Sequence, residues 1–372
     1  IFSLFKFLTI STVLSSDLSS TTIISSHHER DSIQSTMLFS SFFVKITAEM
    51  TVAFLLLFLL SRIFFINSQP LFFDSPEYLT RLGDNDYLNA ISSGHLPLHA
   101  GYILLFWPIY QASLILGLNA AFIVILGQII LATIAIYLFY LSIKIISDKT
   151  TAFYAAIIVS FMPIFWITNV TIMMETTYLA FFIFTLYFLV KFSMSLNTST
   201  NHRYYIVLMV LSLAFSILTH LGIILWIPFL IYLSFFLNRK RVAKITASIV
   251  LSIFIASFVN GYLINNSNPF LGILTLYTSK LGERAQFNYD IQSILVYVRN
   301  FIIPLLRNFT SLIVVLAIIS LFKTYFKNKK IFLLGLLWIL PSIVANQWWD
   351  SVLFGRHSLI AGFGLAFLAA NI

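Results

Sequence analysis

The chain has 372 residues, 59% of them hydrophobic and only 9% charged, against about a quarter charged in an ordinary soluble domain. Charges this sparse cannot cover a water-facing surface, and 39 phenylalanines are too many to hide in one core behind a polar shell; lipid must solvate much of the surface. The net charge of +9 sits in short basic clusters between apolar runs, without the continuous basic face that a nucleic-acid partner needs, and the lack of cysteine excludes a disulfide framework, thiol catalysis and Cys-ligated zinc.

Residues 1–36 begin at Ile1, run Ser/Thr-rich from Ser11 to Thr36 and hold a charged patch from His27 to Asp31. They read as a poorly specified leader, translated from upstream of a start at Met37 or Met50. A single transmembrane domain is expected over 37–372, cut short at its C-terminus because Ala369 to Ile372 fall inside an apolar run.

A spanning helix needs about 20 mainly apolar residues. By that measure spans are predicted over 50–66, 119–145, 151–170, 176–194, 204–219, 221–237, 245–264, 305–322, 331–345 and 357–371, about ten crossings. The expected fold is all-α, a polytopic transmembrane helical bundle with a re-entrant or juxtamembrane helix in its first external loop. That helix is the apolar run Ala100 to Leu116, interrupted by Pro108.

Loop charge decides whether the run crosses. Lys144 and Lys149, then Lys191 and Arg203, then Arg239, Lys240, Arg241 and Lys244, then Lys323, Lys327, Lys329 and Lys330 fall at alternate turns and hold twelve of the 22 basic residues. The positive-inside rule puts these turns in the cytoplasm. If Ala100 to Leu116 does not cross, the opposite face collects the acidic loop with Asp74, the turn at Glu175, the corner at His220, the loop Asn265 to Asp290 and the segment Asn346 to Ser358. If it does cross, the acidic loop parts from Glu175 and Arg356.

The acidic loop carries Asp74-Ser75-Pro76-Glu77, two carboxylates just beyond the first span. Its spacing is also that of a capping box with Pro in the first turn, and a capping Asp74 would keep an oxygen for catalysis. His95 and His99 flank Pro97; imidazoles four apart can share a metal on a helix, but the proline favours a polar turn over a cavity. Asp84-Asn85-Asp86 is read as a solvated turn. No metal or other cofactor is assigned.

Further along, Glu175 is the one carboxylate between Asp148 and Glu283. An acid at the edge of an apolar span is costly and by default functional, with a wetted helix start as the alternative. The cations placed on the outer face, any of which could meet an anionic substrate group, are Arg81, Lys280, Arg284, Arg299, Arg307 and Arg356. Arg356 is favoured, followed by Lys280 and Arg284, whose loop is long enough to act as a lid.

Asp74-Ser75-Pro76-Glu77, followed by Gly94-His95-Leu96-Pro97-Leu98-His99-Ala100-Gly101-Tyr102 and an aromatic-rich helix, resembles the GT-C membrane glycosyltransferases. It looks closest to the branch related to protein O-mannosyltransferases, departing from it at Pro76 and at Leu98-His99-Ala100. Met174-Glu175, the corner Thr219-His220-Leu221-Gly222 and Gly355-Arg356-His357-Ser358 resemble later landmarks in the expected order. The resemblance implies a polyprenyl-phosphate sugar donor, a lipid, glycan or protein acceptor, and inversion at the anomeric carbon. Asp74 would be the base, with Glu77 and Glu175 orienting it or the sugar. His95, His99, Tyr102, His220, Arg356, Lys280 and Arg284 would bind substrate or phosphate.

The absence of a GxGxxG turn or a P-loop lysine fits a donor held by the membrane rather than a soluble nucleotide. The expected location is a multi-pass membrane protein, in the plasma membrane if prokaryotic, with its active site facing outside. The rival from another class is a transporter or flippase of a lipid-linked saccharide. Such proteins show repeats and midplane charges, whereas the carboxylates here gather at one face and no repeat is visible.

Overall fold

The computed structural model describes residues 52–69, 74–93, 99–195, 201–263, 299, 306, 308–348 and 359–371. Among these there is helix and no strand. The first helix, α1, spans Val52–Phe64. Two short helices follow the acidic loop, α2 (Ser75–Leu82) and α3 (Tyr87–Ser92), and then α4 (Ala100–Ile115). Next come α5 (Ala120–Ile146), α6 (Lys149–Ser160), α7 (Pro163–Asn169), α8 (Glu175–Met194) and α9 (Asn201–Thr219). After a 3-10 turn at Leu221–Trp226 the chain continues as α10 (Ile227–Leu237), α11 (Val242–Leu263), α12 (Ser311–Lys327), α13 (Lys329–Trp348) and α14 (Leu359–Ala370).

The punctuation is written locally. The Asn119 side chain accepts from the Phe122 amide at 3.1 Å and starts α5, and Lys144 lies in the last turn of that helix, where its charge complements the carbonyl end of the dipole. Asp148 then starts α6 by accepting from the amides of Thr150 and Thr151 at 2.8 and 2.9 Å. Proline stands in the first turn of α2, α7 and α10, the helical position where its missing N–H costs nothing.

Three described helices, Ala120–Ile146, Glu175–Met194 and Arg239–Leu263, are long and apolar enough to cross a bilayer singly. The predicted continuous span over 151–170 is instead broken. α6 and α7 meet at 64° across Phe161 and Met162, because Pro163 cannot donate to the carbonyl a turn back. The run predicted as a juxtamembrane helix forms α4, with Pro108 inside it. Its 16 residues extend about 24 Å, short of the roughly 30 Å of a hydrocarbon core.

Leu55–Ile372 is one compact unit. At its centre α8 packs along α5 and α9. Hydroxyls knit α8 to α9: Thr185 Oγ1 lies 3.0 Å from Ser212 Oγ, and Ser216 Oγ donates to the Tyr178 carbonyl at 2.8 Å. Small polar residues permit such close helix approach in lipid. A second core surrounds Trp338, whose ring meets Phe139, Phe229 and Phe367 and whose carbonyl accepts from Trp226 Nε1 at 2.9 Å. The third core carries the candidate site: Tyr78, Leu82 and Ile91 of the short helices bury against Tyr102, Ile103 and Phe106 of α4 and Ile125 and Ile129 of α5.

Candidate active site

The acidic loop is anchored to the segment that leads into Glu175. Beyond α1, the Asn67 amide donates to the Val170 carbonyl at 2.8 Å. Ser75 Oγ, at the start of α2, donates to the Ile172 carbonyl at 2.9 Å and lies 3.4 Å from Met173 Sδ. Asp74 occupies the N-cap position with φ −83 and ψ −17, and its side chain makes no capping hydrogen bond. An N-cap normally has extended backbone angles; in the helical region the side chain is not aimed back at the amides of its own first turn. The capping box expected from the spacing is therefore not formed. Asp74 as a whole is buried, at 8% exposure.

Glu77 and Arg81 pair along α2 at 3.7 Å. Arg81 is itself buried and uses Nε and Nη2 on the carbonyls of Ala90 and Ile91, both at 2.9 Å, closing the C-terminal end of α3. Among the cations considered for phosphate, Arg81 is thus committed to the fold. Asp84 and Asp86 build the start of α3: Asp86 accepts from the amides of Leu88 and Asn89, and Asp84 from the Asp86 amide and the Asn89 side chain. That is the polar turn expected of them.

The far wall forms where α4 begins and α9 ends. His99 has φ 48, a left-handed conformation uncommon outside glycine, and its Nδ1 stands 2.9 Å from the Thr219 carbonyl. A carbonyl only accepts, so Nδ1 carries the hydrogen and Nε2 is the ring's other functional nitrogen. The His99 and His220 rings stack at 6.2 Å and 17°, and Tyr178 lies 4.7 Å from His220. Tyr78 touches both His99 and Tyr102, at 6.0 and 5.1 Å between centroids.

Gly101 permits this contact. A Cβ there would lie 2.3 Å from Thr219 Oγ1, 2.9 Å from its amide nitrogen and 3.0 Å from the Phe215 carbonyl. The corner resembling Thr219-His220-Leu221-Gly222 is present as a break between α9 and the 3-10 turn, with His220 extended at φ −148.

Gln128, a third of the way along α5, ties these elements together. Its Oε1 accepts from the Tyr102 hydroxyl at 2.9 Å, and its Nε2 donates to the carbonyls of Thr171 and Met173 at 3.1 and 3.0 Å. Glu175 follows immediately and is fully buried, which overturns the wetted helix start. Burial first, and then the Glu175 charge, push the Tyr102 hydroxyl well above its ordinary range. Asp74, through Ser75, and Glu175, through the chain itself, share the segment 170–174; Tyr102 is tied to it through Gln128, and His99 and His220 stack beyond Tyr78 and Tyr178. Glu77 turns toward Arg81. His95, Lys280, Arg284 and Arg356 lie outside the described residues. Among the described residues no three His, Asp or Glu side chains are grouped to hold a metal ion.

Sequence reasoning missed Arg62. It is 1% exposed, sandwiched between Phe58 and Trp166 with its guanidinium carbon 4.0 and 3.7 Å from their ring centroids. Nη2 donates to the Ser160 carbonyl and Nη1 to Ser61 Oγ. A cation at the carbonyl end of α6 complements that helix dipole and takes up backbone freed by the break before Pro163. The signal was present: Arg62 and Gln128 are polar residues inside predicted apolar spans, where such residues carry a default expectation of function.

A bundle of apolar helices, a buried acidic corner beyond the first of them and a short helix wedged between that corner and the main bundle define an integral membrane protein of helical-bundle fold. Residues 100–264 match the profile of the dolichyl-phosphate-mannose-protein mannosyltransferase family. The fold matches the crystal structure of ArnT from Cupriavidus metallidurans bound to undecaprenyl phosphate, with TM-score 0.62 and 16% identity over 87% of this chain. The chain spans 59% of the length of that protein. No curated protein sequence matches it.

Proposed function

We propose that the chain transfers a sugar from a polyprenyl-phosphate-linked donor to an acceptor hydroxyl at the outer face of the membrane, with inversion at the anomeric carbon. The observation that carries this reading is the pair of buried carboxylates, Asp74 and Glu175, joined through the segment 170–174 while Asp74 is not used as a helix cap. The ArnT structure holds undecaprenyl phosphate, which supports a donor of that chemistry. The outward orientation is supported by α8: Glu175 opens it and Lys191 lies in its last turn, about 24 Å further along the axis at about 1.5 Å per residue.

In this reaction the acceptor oxygen attacks the anomeric carbon as the bond from that carbon to the phosphate oxygen breaks. Asp74 takes the hydroxyl proton, a task for a carboxylate within hydrogen-bond reach. The lipid phosphate leaves with the electron pair. Arg356, with Lys280 and Arg284, offsets its growing charge, an effect strongest in a site closed to water. Glu175 and Glu77 orient the base or the sugar, and His99, His220, Tyr102 and His95 line the substrate. A lipid, a glycan or a protein hydroxyl would all serve as acceptor.

The deciding experiment is Asp74→Asn in purified protein with a polyprenyl-phosphate sugar donor. Loss of a general base lowers turnover by about 100-fold to 10,000-fold, with the melting temperature held. Transfer at the wild-type rate by that variant would remove Asp74 as the base.

A further inference from the structure

The end of the bundle away from the candidate site has a charge balance of its own. Arg239, Lys240, Arg241, Lys244, Lys323, Lys327, Lys329 and Lys330 fall within two stretches of sequence, and the chain has no Asp or Glu between Glu175 and Glu283 or between Asp290 and Asp350. Asp148 stands with the basic turns, but its carboxylate is taken up by Ser147, Thr150 and Thr151 at the start of α6. Among the described residues this end therefore carries cations with little anionic compensation.

Two of these cations border a cleft. It has a volume of about 150 Å³ and is lined by Tyr232, Phe235, Phe236, Leu237, Arg239 and Lys330. Tyr232 on α10 donates to the Lys330 carbonyl at 3.3 Å and bridges to the start of α13. The Arg239 guanidinium lies over the Phe235 ring at 4.4 Å. Two residues along, Arg241 is spent on structure: it is buried, binds the Phe192 and Ser195 carbonyls and reaches Ser195 Oγ at 2.9 Å. Among the described residues Arg239 and Lys330 make no such bond to carbonyls at a helix end, and both are exposed.

We propose that this cleft binds the phosphate of an anionic phospholipid headgroup, in the leaflet opposite the candidate active site. The cations suit a phosphate, and Phe235, Phe236 and Leu237 continue the wall into apolar surface where acyl chains would lie. Basic pockets between membrane helices take anionic headgroups on these terms. Free phosphate shares the headgroup chemistry but gains nothing from that apolar wall. The site is separate from the sugar-transfer reading and stands if that reading fails.

The test is native mass spectrometry of the full chain released from nanodiscs of phosphatidylcholine with and without phosphatidylglycerol. Wild-type protein should retain phosphatidylglycerol over phosphatidylcholine, and the double variant Arg239→Gln/Lys330→Gln should lose that preference by about ten-fold or more. The matched variant Lys144→Gln/Lys191→Gln, with the same charge loss elsewhere, should keep it. Equal retention by the first variant, or equal loss in the second, would overturn the assignment. So would displacement of the lipid by millimolar inorganic phosphate, which would mark a free-anion site. Melting temperature accompanies each variant; if the cleft pair unfolds, the single Lys330→Gln provides the same comparison.

Discussion

Gly101→Ala tests whether the approach of α4 to α9 sets the geometry of the candidate site. The added carbon would lie 2.3 Å from Thr219 Oγ1, 2.9 Å from the Thr219 nitrogen and 3.0 Å from the Phe215 carbonyl oxygen. The last two are backbone atoms, so a change of side-chain rotamer cannot relieve them and α4 must move. Overpacking of this kind costs about 1–3 kcal/mol, of which better helix propensity returns at most about 1 kcal/mol. A net loss of roughly 1–2 kcal/mol is expected, read as a melting temperature lowered by a few degrees. Turnover should fall further than stability, because the shift carries His99 off the Thr219 carbonyl that holds it at 2.9 Å. Gly127→Ala is the control: its new carbon would meet only the Phe106 ring, at 3.1 Å, with the same gain in propensity. Thermal denaturation in detergent and a transfer assay on both variants decide the matter. A Gly101→Ala protein as stable and as active as Gly127→Ala would refute the reasoning.

Arg62→Lys keeps the charge but not the planar fork that reaches Ser61 and Ser160 from between two rings. A loss of about 1.5–3 kcal/mol is expected, and a melting temperature equal to wild type would show that the α6 end needs no such cap. Asp148→Ala should cost about 1 kcal/mol as a lost N-cap. Burial raises the Asp148 carboxyl, but the bonds from Thr151, Ser147 and Thr150 outweigh it and hold the group below the ordinary aspartate range. A depressed folded pKa makes its contribution complete above the unfolded value and lost as pH falls through the folded one. The stability gap between wild type and Asp148→Ala should therefore close in acid, and a gap constant with pH would contradict the linkage.

What the sequence allowed to be read was governed by the range of the forces involved. The apolar run Ala100 to Leu116 predicted α4 to within a residue, because hydropathy and the flanking Gly117 are local signals. The Asp84-Asn85-Asp86 turn was equally local. The break at Phe161 and Met162 was not read, although Pro163 stands beside it, because the run stays apolar across 151–170 and hydropathy carries no angle. His99 and His220 were each singled out, but their stacking joins positions on different helices, and no periodicity reports that. The Asp74 cap failed for a related reason: its spacing fits a capping box, whereas Ser75 is drawn to the Ile172 carbonyl and the backbone at Asp74 takes helical angles.

The Arg62 contact also constrains the order of assembly. Arg62 is synthesised 98 residues before Ser160, so α1 enters the membrane with a guanidinium whose structural acceptor does not yet exist. An arginine in an inserting helix costs about 2.5–3.5 kcal/mol at its centre on translocon scales and less toward its end, where Arg62 lies, a cost offset only once Ser160 and Trp166 surround the guanidinium. Insertion of α1 is thus expected to be delayed until α6 arrives. A chain truncated after residue 100 should insert α1 poorly, and one truncated after residue 175 efficiently. Equal insertion of the two would show that α1 enters without its partner.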